Sequence, residues 1–132
     1  MLEKKKILRK IIKVRVSAIS PEERKKREEI LHNNLFSMPE FLSASTVMLF
    51  ANLPDEIGTF SLIDKCIAMG KKVFLPVING DDMTACEFKG EYKIGKYDIK
   101  EPLTPHSSLL TPHSVDFILV PGVAFSPNGY RL

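Results

Sequence analysis

Two nearly continuous apolar runs, separated by a segment with helical spacing, constrain this chain more than any other feature. The runs cover residues 46–51 and 72–78, and such runs are typical of strands that are buried on both faces. Between residues 60 and 70 apolar side chains recur at helical spacing, and a glycine marks the end of that helix. A strand, a helix and a second strand in this order form a right-handed crossover between parallel strands. The pattern therefore predicts an α/β fold.

The remaining sequence predicts the rest of the sheet and two helices in front of it. The predicted elements are, in order, a turn at 79–82, a possible strand at 83–89, a loop-rich stretch at 90–114 and a buried strand at 115–120. We expect one domain over residues 1–132, in which N-terminal helices at 2–37 pack on a mostly parallel sheet at 45–132.

The two N-terminal helices are predicted from different signals. Residues 4–18 form an amphipathic basic pattern, with Leu8, Ile11 and Ile12 near one face. Ser20-Pro21-Glu22-Glu23 is typical of a capping box, with serine as the cap and proline at the first helical position. The second helix should run from residue 21 to about 36, because a residue that precedes proline disfavours helical geometry and Pro39 follows Met38.

The positive charge of the chain is concentrated at its beginning. The net charge is +3, but residues 1–27 hold eleven Lys and Arg against three Glu. Lysines in the first turn of a helix oppose its dipole, so a bound anion would relieve the repulsion, although a solvated face is the simpler explanation. Because no aromatic residue precedes Phe36, the basic segment lacks the stacking groups of single-strand binders, and we expect no nucleic-acid partner.

Charge also limits the location of the protein. The longest uncharged runs have fourteen residues, and a spanning helix needs about 18 or more apolar residues. We therefore expect no membrane partner and a cytoplasmic location.

Cys66 and Cys86 have no second cysteine pair near them and should be buried thiols, while His106 and His113 should be solvated loop residues.

Residues 52–59 follow the first predicted strand, at the edge where open α/β sheets bind ligands. Glu56 is placed there to meet a ligand. Alternatively, Asp55 and Glu56 stabilise the positive start of the next helix. The pattern of residues alone leaves both interpretations open.

Five stretches, in this order along the chain, resemble the 5-formyltetrahydrofolate cyclo-ligase family, also called methenyltetrahydrofolate synthetase. Residues 5–9 are similar to the family's Lys-x-x-Leu-Arg segment, 19–24 to the Ser-x-Glu-Glu that follows it, and 55–59 to its Glu-x-x-Thr. Residues 95–102 are similar to Gly-x-x-x-Ile-x-Glu-Pro, and 116–132 to the family's Asp-(aliphatic)-Pro-Gly-x-x-Phe-x-x-x-Gly-x-Arg-Leu. The ordered matches make coincidence improbable.

The resemblance implies the cyclo-ligase fold and an ATP-dependent conversion of 5-formyltetrahydrofolate to 5,10-methenyltetrahydrofolate, with release of ADP and phosphate. Magnesium would assist, because phosphoryl transfer depends on positioning and charge neutralisation. The implied ATP-binding residues are Lys5, Lys6, Arg9, Arg131 and Leu132. The implied folate-binding residues are Phe50, Ala51 and Glu56. No catalytic residue and no protein metal ligand is assigned.

The chain departs from the family pattern in three places. Ser126 stands where the family usually has Asp, and Gly58 where an acidic residue is more common. Family members continue after Arg-Leu into a Gly-rich loop that cradles the triphosphate, and this C-terminal part is missing from the sequence. Because the phosphate-binding loop is missing, we expect residues 1–132 by themselves to bind folate weakly without turnover. The alternative to the ATP-dependent ligase is a catalytically inactive folate- or nucleotide-binding remnant of the family. We also expect a monomer or weak homo-oligomer.

Overall fold

A computed structural model describes residues 2–95, 98–103 and 109–132 of the chain. Its helices are α1 (Leu2–Ser17), α2 (Pro21–Phe36), α3 (Pro39–Ser43) and α4 (Phe60–Ala68). Its strands are β1 (Thr46–Met48), β2 (Lys72–Asn79), β3 (Asp82–Glu87), β4 (Tyr92–Ile94), β5 (Lys100–Pro102), β6 (Leu109–Leu110) and β7 (Phe117–Ile118). A short 3-10 helix covers Pro112–Ser114.

Within the described residues, five strands form one sheet in the order β6-β3-β2-β1-β7. Strand β1 is parallel to β2, with Thr46 opposite Lys72, and it is also parallel to β7. Strand β3 is antiparallel to β2, and β6 is antiparallel to β3, so four of the five strands run in one direction. The predicted α/β class with a mostly parallel sheet and flanking helices is confirmed.

Helix α2 begins and ends at the predicted residues. The Ser20 hydroxyl accepts the Glu23 N–H at 3.2 Å, and Pro21 occupies the first helical position. The second half of the predicted capping box is wrong, because the Glu23 carboxylate pairs with Arg27 at 3.2 Å instead. Pro39, which was expected only to limit α2, starts the short helix α3.

The core lies between the sheet and helices α2, α3 and α4. Its fully buried members include Phe41, Val47, Leu49, Leu62, Ile63 and Leu75. Helix α2 enters the core at its C-terminal end through Leu35. Both cysteines are buried, as predicted, and burial raises the pKa of Cys66 to about 11.

Helix α1 packs less closely than predicted, since none of its residues is buried. The predicted apolar face is partly wrong, because Leu8 and Ile11 are each 45% exposed. Arg9, Ile12, Lys13 and Val16 face the body of the protein instead. Apolar and basic residues alternate around this helix, so sequence spacing did not distinguish the inward face.

The stretch 90–114 contains more regular structure than predicted. Strands β4 and β5 pair antiparallel, with Tyr92 opposite Pro102. The ribbon packs on the protein through Tyr92, whose ring stacks on Phe88 with centroids 4.4 Å apart. A strand of three residues is too short to show an alternation of apolar and polar residues in the sequence. His113 is exposed, as expected, and His106 lies outside the described residues.

Candidate functional site

A cavity of about 670 Å³ opens at the carboxyl ends of β1 and β7. Its apolar wall includes Ile12, Val16, Ile19, Leu31, Phe50, Leu53, Ile57, Leu119, Val123 and Phe125. Its charged residues are Arg9, Lys13, Arg24, Arg27, Asp55, Glu56 and Arg131. An apolar surface with a few converging charged groups is typical of small-molecule sites.

One wall is the Glu56 loop, which we define as residues 52–59. The loop closes on itself, because the Asn52 N–H donates to the Thr59 hydroxyl at 3.2 Å and the Thr59 N–H donates to Asn52 Oδ1 at 3.0 Å. The Thr59 hydroxyl in turn donates to the Phe50 carbonyl. Thr59 is completely buried, so these bonds fix the loop to the end of β1.

Glu56 is half-buried and lines the cavity from the middle of the loop. Its Oε1 accepts the Leu53 N–H at 2.8 Å, and the Glu56 N–H donates to the Leu53 carbonyl at 3.0 Å. Helix α4 starts at Phe60 and has no acidic residue in its first turn. The alternative interpretation, in which Asp55 and Glu56 stabilise the start of that helix, is therefore wrong.

Helix α2 holds the loop from outside. The Arg24 guanidinium donates to the Glu56 carbonyl at 2.8 Å. Glu28 Oε1 accepts the Gly58 N–H at 2.6 Å, and His32 Nε2 lies 3.0 Å from the Gly58 carbonyl. The backbone of the loop is thus bonded both internally and to the helix.

The cationic side chains of the cavity differ in whether they bond to other groups of the protein. Arg27 pairs with Glu23, Arg24 donates to the loop, and Arg131 Nη1 donates to the Pro121 carbonyl at 2.8 Å. For Arg9 and Lys13, the described part of the chain supplies no hydrogen bond or ion pair. These two cations are therefore the ones available to an anion.

Helix α1 forms a second wall through Arg9 and Lys13, and the tail, residues 119–132, forms a third wall and folds into a tight hairpin. Phe125 and Arg131 form an isolated antiparallel β-bridge. The Tyr130 N–H donates to the Ser126 hydroxyl at 3.0 Å. Gly129 has a φ of +87°, a conformation that favours glycine. Ser126, which stands where the resembling family usually has Asp, thus stabilises the turn.

Asp116 anchors the start of β7, the strand that leads into this tail. Its Oδ2 accepts the N–H groups of Ser45 at 3.0 Å and Thr46 at 3.2 Å. The Asp116 N–H donates to the Thr46 hydroxyl at 2.9 Å. The bond from the Ser45 N–H has the largest effect on the pKa of the Asp116 carboxyl, followed by the bond from the Thr46 N–H, and both lower it. The ionised aspartate therefore helps to fix β7 beside β1.

The structure brings together most of the residues singled out from the sequence. Arg9, Phe50, Glu56, Arg131 and Leu132 all line the cavity. Lys5 and Lys6 are exposed on α1 outside the cavity lining, and Ala51 is buried and is not a lining residue. The roles of all these residues stay predictions.

Sequence reasoning missed four of the charged residues that line the cavity: Lys13, Arg24, Arg27 and Asp55. The spacing of Lys13, four residues after Arg9, gave a usable signal, since such residues share a helix face. The α2 arginines gave none, because the orientation of α2 follows from tertiary packing.

The carboxylates of the cavity do not form a metal cage. In residues 2–95, 98–103 and 109–132, no group of three His, Cys, Asp or Glu side chains could hold a metal ion. Asp55 and Glu56 supply the acidic side chains of the cavity. Magnesium commonly keeps its waters and binds through one or two carboxylates together with substrate phosphates. The cavity fits an ion that arrives with a phosphate group.

In the same described residues, no helix is both long and apolar enough to cross a bilayer.

Comparisons with known proteins agree on one family. The family model for the 5-formyltetrahydrofolate cyclo-ligase family matches residues 1–132. A probable 5-formyltetrahydrofolate cyclo-ligase of Caenorhabditis elegans is 30% identical, over 98% of this chain and 67% of the relative. A 5-formyltetrahydrofolate cyclo-ligase of Escherichia coli strain K12 is 27% identical, over 92% of this chain and 70% of the relative.

Solved structures give the same result. The NMR structure of 5,10-methenyltetrahydrofolate synthetase from Aquifex aeolicus matches with a TM-score of 0.85 and 32% identity, over 99% of this chain and 66% of that protein. A 5,10-methenyltetrahydrofolate synthetase from Mycoplasma pneumoniae matches in fold, with a TM-score of 0.72 and 17% identity, over 97% of this chain and 70% of that protein. The chain thus spans about two thirds of the length of the relatives it matches.

Proposed function

Because the chain belongs to the 5-formyltetrahydrofolate cyclo-ligase family, a family of enzymes, we propose that it binds a reduced folate and ATP in the cavity. The proposed reaction is the ATP-dependent conversion of 5-formyltetrahydrofolate to 5,10-methenyltetrahydrofolate, with release of ADP and phosphate. The observation that carries the proposal is that one cavity combines an apolar surface, a carboxylate held by the backbone, Glu56, and two available cations, Arg9 and Lys13.

The folate half of the proposal rests on the Glu56 loop. The amino-pyrimidine edge of a folate donates hydrogen bonds, and a carboxylate accepts such bonds strongly. Glu56 uses one oxygen to hold the Leu53 N–H, and within the described residues its other oxygen has no partner. Phe50 supplies apolar surface in the same cavity, and the next residue, Ala51, is buried.

The ATP half rests on the charge of the other walls. Arg9 from α1 and Arg131 from the tail reach the cavity, and Leu132 lies beside Arg131. Lys5 and Lys6 lie nearer the start of α1, where they add to the positive potential without lining the cavity. When bound, magnesium would neutralise phosphate charge, with Asp55 as the available carboxylate.

A second candidate is a protein that binds folate or nucleotide without turnover. This second candidate is favoured by the bonds that Arg24, Arg27 and Arg131 already make to other groups of the protein. Phosphoryl transfer requires the phosphate at near-attack geometry, which charge attraction alone does not provide. The two candidates share the cavity and differ in product formation.

The decisive experiment incubates the protein with 5-formyltetrahydrofolate, ATP and magnesium and measures the methenyl product. ATP-dependent product that the cavity variant Glu56→Gln reduces would support the enzyme. Folate binding by calorimetry without product would support the second candidate. Absence of folate binding and of ATP binding would contradict both.

The remaining parts of the proposal concern assembly and location. We expect a monomer or weak homo-oligomer, and a cytoplasmic location where ATP and reduced folates are available. Analytical ultracentrifugation at two protein concentrations tests the first expectation, because a weak oligomer dissociates on dilution.

A further inference from the structure

Helix α2 directs three polar side chains at the Glu56 loop. Arg24, Glu28 and His32 are spaced four residues apart, so they lie along one face of the helix. Each contacts the backbone of the loop, and each is half-buried. Contacts to backbone groups fix the path of the chain, whatever side chains the loop carries.

Gly58 receives two of these three contacts. Glu28 accepts its N–H at 2.6 Å, and His32 Nε2 is 3.0 Å from its carbonyl, where a ring N–H donates. A Cβ atom at this position would lie 2.6 Å from Glu28 Oε1 and 2.9 Å from Glu28 Cδ. Glycine is therefore required for the carboxylate to approach this closely.

These contacts attach a part of α2 in which no residue is buried. The only buried residue of α2 is Leu35, near the C-terminal end. The bonds among Asn52, Thr59 and the Phe50 carbonyl hold the two ends of the Glu56 loop, while the α2 bonds hold its later half at Glu56 and Gly58. Glu28 and His32 do not line the cavity themselves.

We propose that Glu28 and His32 are positioning residues, which hold the Gly58 peptide so that the Glu56 carboxylate faces the bound ligand. This inference rests on the proposed function, since it takes the ligand of Glu56 to be a reduced folate. The bond from the Leu53 N–H to Glu56 Oε1 ties the Glu56 carboxylate to the loop, so exchange of the Leu53 amide reports whether that carboxylate keeps its position.

Hydrogen exchange of single backbone amides and calorimetric titration with 5-formyltetrahydrofolate test the proposal together. Glu28→Ala should speed exchange at both Gly58 and Leu53 by at least about tenfold, because the bond it removes involves a charged group. It should weaken folate binding by a similar factor. Glu28→Gln retains an acceptor oxygen and should restore slow exchange at Leu53. Glu29→Ala, a change at an exposed neighbour, should alter neither readout.

His32→Ala provides a second variant that leaves Glu28 in place, and it should also speed exchange at Leu53. Unchanged exchange at Leu53 in both alanine variants would overturn the proposal. Equally faster exchange at a core amide such as that of Leu75 would overturn it too, because the effect would then be general unfolding. If the unchanged protein does not bind folate while the amides respond as expected, the proposed function fails, but the positioning role of Glu28 and His32 is supported.

Discussion

Two walls of the same cavity are built in opposite ways. The Glu56 loop is bonded at both ends, inside itself and to helix α2, and its residue Thr59 is completely buried. Helix α1 contributes Arg9 and Lys13, yet it has no buried residue. The loop presents one charge at a fixed position, and the helix presents several charges on flexible side chains.

The difference indicates how each wall can recognise a ligand. A carboxylate held at a fixed position discriminates among ligands, because only a ligand whose hydrogen-bond donors match that position can bind it. Flexible cations attract any polyanion, and salt screens that attraction. We therefore expect specificity for the folate at the loop and charge-driven binding of the nucleotide at α1.

The strongest test of this contrast is Glu56→Ala. A hydrogen bond to a charged group contributes about 1.5–3 kcal/mol, so folate affinity should fall by about 10–150-fold. Calorimetric titration measures the effect. Asp55→Ala is the matched control, because Asp55 also lines the cavity but is exposed, and it should change folate affinity little. Equal affinity of the Glu56→Ala variant and the unchanged protein would remove Glu56 from the site.

Gly58→Ala tests whether the loop wall is as rigid as its bonds indicate. The added methyl would meet the Glu28 carboxylate at 2.6 Å, and because this carboxylate ends a flexible side chain, the main cost is the lost bond to the Gly58 N–H, about 1 kcal/mol. The melting temperature should fall by several degrees. In a Glu28→Ala background the same change should cost much less, because all three nearest atoms belong to Glu28. Additive losses in the double variant would show that the cost of the methyl does not come from Glu28.

Much of the fold could be predicted from the sequence, and the reasons are local. The apolar runs define the parallel strands, and Ser20 with Pro21 defines the start of α2. The ribbon of β4 and β5 could not be predicted, because strands of three residues carry no periodic pattern and this pair depends on the packing of Tyr92 against Phe88.

The candidate site was less predictable than the fold. Glu56 and Arg131 lie at sheet ends and are part of motifs, so they could be found. Arg24 and Glu28 could not, since the side of α2 that faces the loop is decided by where Leu35 enters the core. Lys5 is the opposite case, because it matches a motif but lies outside the cavity lining, and its role stays a prediction.

Arg9→Gln tests the α1 wall. An exposed ion pair contributes up to about 1 kcal/mol, so ATP affinity should fall by about fivefold, and the loss should shrink at higher salt. The melting temperature should not change, because no residue of α1 is buried. Lys5→Gln is the control, with an expected change below about twofold for a residue outside the cavity lining. A sharp fall in stability with intact ATP binding would mean that Arg9 packs the helix and does not bind phosphate.

The tail wall stands between these extremes, because the strand that leads into it is anchored by one exposed carboxylate. The backbone N–H groups of Ser45 and Thr46 lower the pKa of Asp116 below its usual value of 3.8. A lowered pKa in the folded state means that the carboxylate stabilises the fold above 3.8, and that this contribution is lost as the pH falls through the lowered value. Melting curves should therefore show a modest deficit for Asp116→Asn at neutral pH that shrinks below pH 3.8. Glu29→Gln, at an exposed carboxylate of α2, should show no such convergence. A deficit that stays constant through this acid range would mean that the shape of Asp116, and not its charge, holds β7 beside β1.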